Sequence, residues 1–180
     1  MQLLLDLVQI IGSLYITLVL LRFILQVCRA DFYNPISQFI VKATNPLLIP
    51  LRRVIPSVRG LDSASLVLAL VLQIVLVLVI NQIPLGHIGE IFGQVLAAAL
   101  IQLIKAVVQL YTWALIIIVI ISWVAPGSYH PGAQLLAQIT EPLLAPIRRV
   151  LPPMGGLDLS PMVLMLLLFV ISGALSGRYG

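Results

Sequence analysis

Charged side chains are scarce in this chain. Asp, Glu, Lys and Arg make up 9% of its 180 residues, whereas an average soluble domain carries about 25%. So few charges cannot cover a water-facing surface. With 61% hydrophobic residues and a mean hydropathy of +1.17, the composition predicts an integral membrane protein. Direct nucleic-acid binding is excluded as a function because it needs clustered basic residues that the chain lacks.

Cysteines and catalytic motifs are also missing. The single cysteine, Cys28, cannot form an intramolecular disulfide and is interpreted as a small apolar filler near the end of a helix. The chain contains no GxSxG, P-loop, HExxH or CxxC motif and no paired catalytic carboxylates. The sequence therefore predicts no enzyme activity, no metal site and no cofactor.

One proline-punctuated segment occurs twice. Residues 44–62 read TNPLLIPLRRVIPSVRGLD and residues 140–158 read TEPLLAPIRRVLPPMGGLD, at a constant offset of 96 positions. The alignment extends beyond this motif, since Tyr15 falls on Tyr111 at the same offset. A repeat of this kind determines the architecture, so the chain is interpreted as two copies of one unit.

Each copy places one module, the segment that carries the repeated motif, between two apolar stretches. A hydrocarbon core of ~30 Å needs about 20 apolar residues, and all four stretches are predicted to span it. The predicted fold is an all-α membrane protein with four transmembrane helices from two parallel tandem repeats, each with a short kinked interfacial helical segment between its spans. The predicted bounds are 1–84 for the first copy, with spans at about 3–28 and 62–83 and a module at 29–61, then a turn at 85–95, then 96–180 for the second copy, with spans at about 96–124 and 158–176 and a module at 125–157.

Lysine and arginine are concentrated in the modules. Seven of the ten Lys and Arg residues lie in 29–61 and 125–157, and the turn between the copies has none. The positive-inside rule therefore predicts that both modules face the cytoplasm and that both termini lie outside it.

Each module is predicted to begin with a short interfacial helix. Asn34-Pro35 and His130-Pro131 are typical helix starts, with a capping side chain before a proline. A helix of about ten residues follows, too short to span a membrane. A second segment is expected to begin at the first proline of the repeated motif and to bend at the next ones. The predicted kinks are Pro46, Pro50, Pro56, Pro142, Pro146 and Pro152.

Each copy contains two adjacent arginines, Arg52-Arg53 and Arg148-Arg149. Adjacent residues cannot share one helical face, so the two side chains of a pair point in different directions. Both could bind anionic lipid headgroups and set the topology. One could instead form a bidentate bond with the aspartate of the Gly-Leu-Asp tripeptide, Asp62 or Asp158. These aspartates can also cap the next helix, and the two roles are compatible. A ligand or ion role is the remaining alternative.

A polar stripe follows the first and third predicted spans: Asp6, Gln9, Lys105 and Gln109. Ionisable groups within spans usually face protein or water. The alternatives are a structural seam between helices in which Asp6 neutralises Lys105, snorkelling toward the outer interface, and an ion or proton path. Arg22, on another side of the first span, is expected to snorkel toward the cytoplasmic interface.

The duplicated NPLLxPxRRVxPxxxGLD unit flanked by spans resembles the bacterial YggT family, also called YlmG, over nearly the whole chain. The second copy departs from that pattern where Glu141 replaces Asn45 and Gly155 replaces Arg59. The resemblance implies a small multi-pass protein of the bacterial cytoplasmic (inner) membrane. It links the family to osmotic and cation stress tolerance and, in photosynthetic lineages, to cytochrome b6 maturation and to nucleoid or division organisation.

Together these features predict a non-enzymatic membrane scaffold, assembly or stress-tolerance factor. Its cytoplasmic modules are expected to bind anionic lipid headgroups and a protein partner, either another membrane protein or a second copy of the chain. The alternative is an oligomeric ion channel or transporter component lined by the polar stripe. That alternative lacks the deep acidic site that cation paths usually need.

Overall fold

A computed structural model describes residues 1–57, 60–124, 130–151 and 158–177. The regular elements of these residues are all helices, which confirms the predicted all-α fold. They are α1 (Gln2–Val27), α2 (Pro35–Arg52), α3 (Ser63–Ile80), a short 3-10 helix (Leu85–His87), α4 (Ile88–Val124), α5 (Pro131–Val150) and α6 (Ser160–Ser176).

Three helices, α1, α3 and α4, are long and apolar enough to cross a membrane, with mean hydropathies of 2.1, 2.8 and 2.2. Their outer surfaces are apolar: Ile10, Val75 and Ile104 are 63%, 50% and 49% exposed. Such a surface suits lipid rather than water, and the chain is therefore an all-α membrane protein. Helix α6 is apolar but only 17 residues long. This length is at the lower limit for a spanning helix, about 17 to 25 residues. The fourth span therefore stays a prediction.

Helix α4 begins at Ile88 rather than at 96, so the turn predicted over 85–95 is too long. Glu90 lies in the first helical turn, where a carboxylate interacts favourably with the helix dipole. Gly93 costs the helix about 1 kcal/mol and does not end it. Burial of apolar neighbours offsets that cost, as at Val95, which is 3% exposed.

Each module contains one long amphipathic helix instead of two short ones. Helix α2 continues through Pro46 and Pro50, and α5 continues through Pro142 and Pro146. The predicted start of a second segment at the first proline is therefore wrong. A proline removes one backbone hydrogen bond, and donors from neighbouring helices can satisfy the carbonyls of the preceding turn.

The predicted starts of these two helices are confirmed. Asn34 Oδ1 accepts a hydrogen bond from the Ile36 N–H at 2.9 Å, directly before α2 begins. His130 Nδ1 accepts one from the Gly132 N–H at 3.2 Å, directly before α5 begins. Both side chains satisfy N–H groups that a helix start leaves without intrahelical partners.

The chain divides into two compact units, of which unit 1 comprises Met1–Phe23 and Phe39–Val107. Its buried apolar core joins α1, α2 and α3. Gly12 lets α1 approach α3 closely, because a Cβ there would lie 2.9 Å from Leu76 Cδ1. The core residues are Ile16, Val19, Leu20, Leu48, Leu68, Ala69 and Leu76.

Unit 2 comprises Ile24–Gln38 and Val108–Gly180. It brings the start of the first module against the second module: the Asn34 side-chain amide donates to Pro131 O at 2.8 Å. This contact explains why the start of α2 belongs to the same unit as α5. The core residues, from α4, α5 and α6, are Val108, Leu115, Leu144, Leu164 and Leu168.

Candidate functional site

In the first module an ion pair closes the loop between α2 and α3. Arg52, the last residue of α2, donates from Nε to Asp62 Oδ1 at 3.3 Å and from Nη2 to Asp62 Oδ2 at 2.5 Å. A cation at a helix C-terminus and an anion next to a helix N-terminus each interact favourably with the helix dipole. The bidentate bond therefore joins two helix ends that favour these charges.

The Asp62 carboxylate is buried, with a side chain that is 4% exposed. It also accepts a hydrogen bond from Ser65 Oγ at 2.5 Å. Burial opposes ionisation, but the hydrogen bonds from Arg52 and Ser65 and the charges of Arg52 and Arg22 outweigh it, so the pKa of Asp62 lies below its ordinary value. Asp62 precedes α3 without accepting a backbone N–H through its side chain, so the predicted capping bond is not made there.

The second module contains the same closure in a more open setting. Arg148 Nε donates to Asp158 Oδ2 at 2.9 Å, and Arg148 Nη1 donates to Glu141 Oε2 at 2.7 Å. The Asp158 and Glu141 side chains are 37% and 55% exposed. Asp158 also accepts the Ser160 N–H at 2.9 Å, which satisfies a donor at the start of α6.

The pKa directions in the second module follow from this network. Burial opposes the charge of Arg148, but the bonds and charges of Asp158 and Glu141 outweigh it and raise the pKa of Arg148. Burial likewise opposes ionisation of Asp158, and the bonds from Ser160 and then Arg148 lower its pKa overall. Arg148 and Asp158 are therefore both charged at neutral pH.

The second arginine of each motif has no side-chain partner among the described residues. Arg53 and Arg149 are exposed, and neither side chain is hydrogen-bonded or ion-paired to a residue within the four described ranges. Each arginine pair is therefore divided into one residue that holds the fold together and one that points outward.

The motif prolines lie in two different settings. Pro46 and Pro50 lie inside α2 and Pro142 and Pro146 inside α5, whereas Pro56 follows α2 and its carbonyl accepts the Ser63 hydroxyl at 2.6 Å. Pro152 lies outside the described residues.

Side chains of α1 donate to carbonyls in the turn before Pro46. Tyr15 Oη donates to Ala43 O at 3.3 Å, and Arg22 Nη1 donates to Val41 O at 3.2 Å. Pro46 lacks the N–H that would bond Lys42 O, and these two bonds to the neighbouring carbonyls hold that turn against α1.

Arg22 is the residue whose role the sequence did not predict. Instead of snorkelling, its side chain is buried, with the residue 5% exposed. Besides Val41 O, its Nη1 donates to Thr44 Oγ1 at 2.7 Å and to Asn45 Oδ1 at 2.8 Å. The available signal was an arginine on an apolar helix that aligns with Ile118 in the other copy.

Comparison with known proteins identifies the family. Two segments of the chain, residues 1–83 and 97–178, match the pattern of the CCB3/YggT family. The chain belongs to this family. No solved structure matches it.

Related CCB3/YggT proteins cover most of the chain. An uncharacterized protein of Pseudomonas aeruginosa is 55% identical over 163 residues, which are 91% of this chain and 83% of the relative. The uncharacterized protein YggT of Escherichia coli K12 is 45% identical over 160 residues, 89% and 82% of the two chains. An uncharacterized protein of Haemophilus influenzae is 33% identical over 153 residues, 85% and 80% of the two chains. Their names assign no activity, so this similarity shows the family and not a function.

The polar stripe of this CCB3/YggT protein does not form an ion pair. Asp6, Gln9 and Gln109 are exposed and Lys105 is half-buried. The ion pairs among the described residues join Arg52 to Asp62 and Arg148 to its two carboxylates, so Asp6 does not neutralise Lys105. Asp6 lies near the start of α1, where the side chains around it are also exposed. The described part of the chain also contains no cluster of three or more His, Cys, Asp or Glu that could hold a metal ion.

Proposed function

We propose that this protein is a non-enzymatic organiser of the bacterial cytoplasmic membrane, a scaffold, assembly or stress-tolerance factor. Its two modules lie at the cytoplasmic interface, bind anionic lipid headgroups and present a surface to a protein partner, either another membrane protein or a second copy of the chain. Both termini lie outside the cytoplasm in this arrangement, as the positive-inside rule predicts.

The observation that carries the proposal is that, in each arginine pair, one side chain is bonded to carboxylates and the other is exposed. Arg52 and Arg148 are held by carboxylates, so their charges are compensated within the fold. Arg53 and Arg149 are exposed beside them with their charges uncompensated among the described residues. A basic residue near an anionic membrane surface contributes about 1 kcal/mol of attraction.

The helices at whose C-terminal ends Arg53 and Arg149 lie have the shape of interfacial helices. Both α2 and α5 are amphipathic, whereas α1, α3 and α6 are apolar around most of their circumference. On α2, Phe39 and Leu47 are 63% and 45% exposed, and Lys42 is also exposed. Exposed apolar side chains beside a basic one suit the boundary between headgroups and acyl chains.

The test replaces the two free arginines together. Arg53→Gln with Arg149→Gln should leave insertion and folding intact and should reduce photo-crosslinking by a diazirine-labelled phosphatidylglycerol at the α2 and α5 ends. In a strain lacking the native gene, the same variant should fail to restore growth under osmotic stress.

The matched control keeps the charge. Arg53→Lys with Arg149→Lys should crosslink and support growth like the wild type, because lipid attraction at this surface depends on charge more than on bidentate geometry. Full growth and full crosslinking by the glutamine variant would remove the basis of the proposal.

The ion-pathway alternative gains no support from the described residues. It requires Asp6, Gln9, Lys105 and Gln109 to line a polar passage. An apolar groove described in unit 1, lined by Val8, Gly12, Tyr15, Ile16, Leu72, Val75, Leu76 and Val79, has a cavity volume of about 180 Å³ and contains none of them. We therefore do not propose ion conduction.

A further inference from the structure

Arg22 is a buried cation whose hydrogen-bond partners among the described residues are all neutral. Its Nη1 donates to Thr44 Oγ1, Asn45 Oδ1 and Val41 O. The chain has six Asp and Glu residues, all within the described ranges, and none of them is ion-paired with Arg22. A buried charge without an opposite charge is unfavourable, and removal of a cation from water is especially unfavourable next to lipid.

The neighbouring ionic groups leave an excess of positive charge. Asp62 is held on both oxygens by Arg52 and on one by Ser65. The charges of Arg22 and Arg52 both act on this carboxylate and lower its pKa. Two guanidinium groups and one carboxylate give this cluster a net charge of 2 − 1 = +1.

The second copy has the opposite balance. Ile118 stands at the position of Arg22, and Glu141 at the position of Asn45. Arg148 bonds both Glu141 and Asp158, so that cluster carries 1 − 2 = −1. The uncompensated cation is therefore a property of the first copy alone and not of the repeated motif.

We propose that the buried Arg22 guanidinium is the core of an anion site that binds one phosphate group, such as the headgroup phosphate of an anionic phospholipid. Arg22 Nε and Nη2 make no hydrogen bond to the described residues, so they remain free to donate to phosphate oxygens in the planar geometry that guanidinium favours. Asn45, which accepts from Nη1, is only half-buried, so the buried guanidinium lies beside a partly exposed residue.

This inference rests on one part of the proposed function, namely that the modules lie at a cytoplasmic interface rich in phosphate. It differs in kind from the role of Arg53 and Arg149. Those side chains are exposed and attract anionic lipid without a fixed geometry, whereas the buried Arg22 guanidinium binds at a ratio of one phosphate per chain.

The decisive variant is Asn45→Glu. It places in the first copy the residue type that the second copy already has at Glu141, and it supplies the missing negative charge whether the introduced carboxylate bonds Arg22 or Arg52. Arg22→Gln is less informative, because it also removes three hydrogen bonds between α1 and α2.

The experiment measures lipid retained by the full chain. Native mass spectrometry in detergent counts bound phosphatidylglycerol against phosphatidylcholine, and thermal unfolding measures the stabilisation that each lipid provides. The wild type should retain one phosphatidylglycerol and be stabilised by it. Asn45→Glu should fold, be more stable without lipid, and bind phosphatidylglycerol on the order of tenfold more weakly, the factor that one charge-assisted hydrogen bond supplies.

Two further arms identify the source of the phosphate and provide the control. Stabilisation of the wild type by inorganic phosphate at the same concentration would assign the site to a soluble anion, and stabilisation by phosphatidylglycerol alone would assign it to lipid. Glu141→Gln, in the second copy, should bind like the wild type.

The inference is overturned if Asn45→Glu binds phosphatidylglycerol and phosphate as the wild type does, or if neither anion stabilises the wild type. Its failure is distinguishable from failure of the proposed function. The double variant Arg53→Gln with Arg149→Gln should keep the one tightly retained phosphate. If that double variant loses growth while Asn45→Glu binds lipid normally, the proposed function is supported and the Arg22 site is not.

Discussion

The two copies share one arginine motif, but removal of its first arginine should have unequal effects. Arg52→Gln leaves Asp62 buried, with a side chain that is 4% exposed and with Ser65 as its remaining side-chain partner among the described residues. Arg148→Gln leaves Asp158 at 37% exposure, where water can solvate it. The same substitution in the same motif therefore removes a buried ion pair in one copy and two surface ion pairs in the other.

The expected magnitudes follow from these exposures. Breaking a buried ion pair costs about 3–5 kcal/mol. Since the Arg52 side chain is itself 42% exposed, solvent screening reduces the expected cost of Arg52→Gln to about 2–3 kcal/mol. Exposed pairs contribute about 0.2–1 kcal/mol each, so loss of both pairs of Arg148 gives Arg148→Gln an expected cost of about 0.4–2 kcal/mol. The difference between the variants should be about 1 kcal/mol in the free energy of unfolding.

The pH dependence of the free energy of unfolding provides an independent test. The pKa of Asp62 is lowered in the folded protein, so its stabilising contribution is present above the ordinary aspartate pKa and is lost as pH falls through the folded-state pKa. In Arg52→Gln the carboxylate stays buried without its guanidinium, which raises its pKa and makes the variant lose stability as pH rises. The gap between wild type and variant should therefore widen from acidic to neutral pH.

The measurement is equilibrium unfolding in detergent, followed by ellipticity, for the wild type and the two variants across that pH range. Arg53→Gln is the matched control and should change the free energy of unfolding by less than about 0.5 kcal/mol, because its side chain is exposed and unpaired among the described residues. Equal losses for Arg52→Gln and Arg148→Gln, or a gap that does not change with pH, would refute the reasoning.

Two further predictions concern the packing of α1. Thr44→Val should lower the free energy of unfolding by about 1.5–3 kcal/mol, because the Thr44 hydroxyl accepts from the Arg22 guanidinium. Thr140 is equally buried but is bonded only to carbonyls of its own helix among the described residues, so Thr140→Val should cost about 0.5–1.5 kcal/mol. Similar losses for both variants would contradict a role for Arg22 in holding α2. Gly12→Leu should destabilise the protein by about 1–3 kcal/mol through overpacking against Leu76. Gly12→Ala should be nearly neutral, because Leu76 Cδ1 is the flexible end of a side chain. An unfolding curve for Gly12→Leu that overlays the wild type would show that α1 and α3 are not in close contact.

Much of the fold follows from patterns that depend on short stretches of chain. Apolar length predicts spanning helices, and the Asn34-Pro35 and His130-Pro131 signals mark helix starts, because capping involves only adjacent residues. The bounds after those starts were less predictable. A proline breaks an isolated helix, whereas α2 continues through Pro46 where Tyr15 and Arg22 of α1 bond the turn before it.

The candidate site, too, could be predicted only in part from the sequence. The repeated motif predicts that an arginine and an aspartate ten positions apart, such as Arg52 and Asp62, are able to pair, because such a motif joins two helix ends through one loop. It does not distinguish which arginine of each pair is bonded, since adjacent side chains on a helix differ only in the direction that tertiary packing assigns to them. The free role of Arg53 and Arg149 is therefore visible only in the folded chain.

The sequence by itself determined the membrane class, the helical fold and the duplication, since composition, apolar length and repeated motifs are properties of the chain alone. Only the tertiary structure decided that Arg22 is buried among neutral acceptors, that Asp62 is buried while Asp158 is not, and that the two motifs carry clusters of opposite net charge. The physical reason is that burial and hydrogen-bond partners depend on residues distant in sequence, here α1 against α2. Two nearly identical motifs therefore acquire different electrostatic environments when they fold.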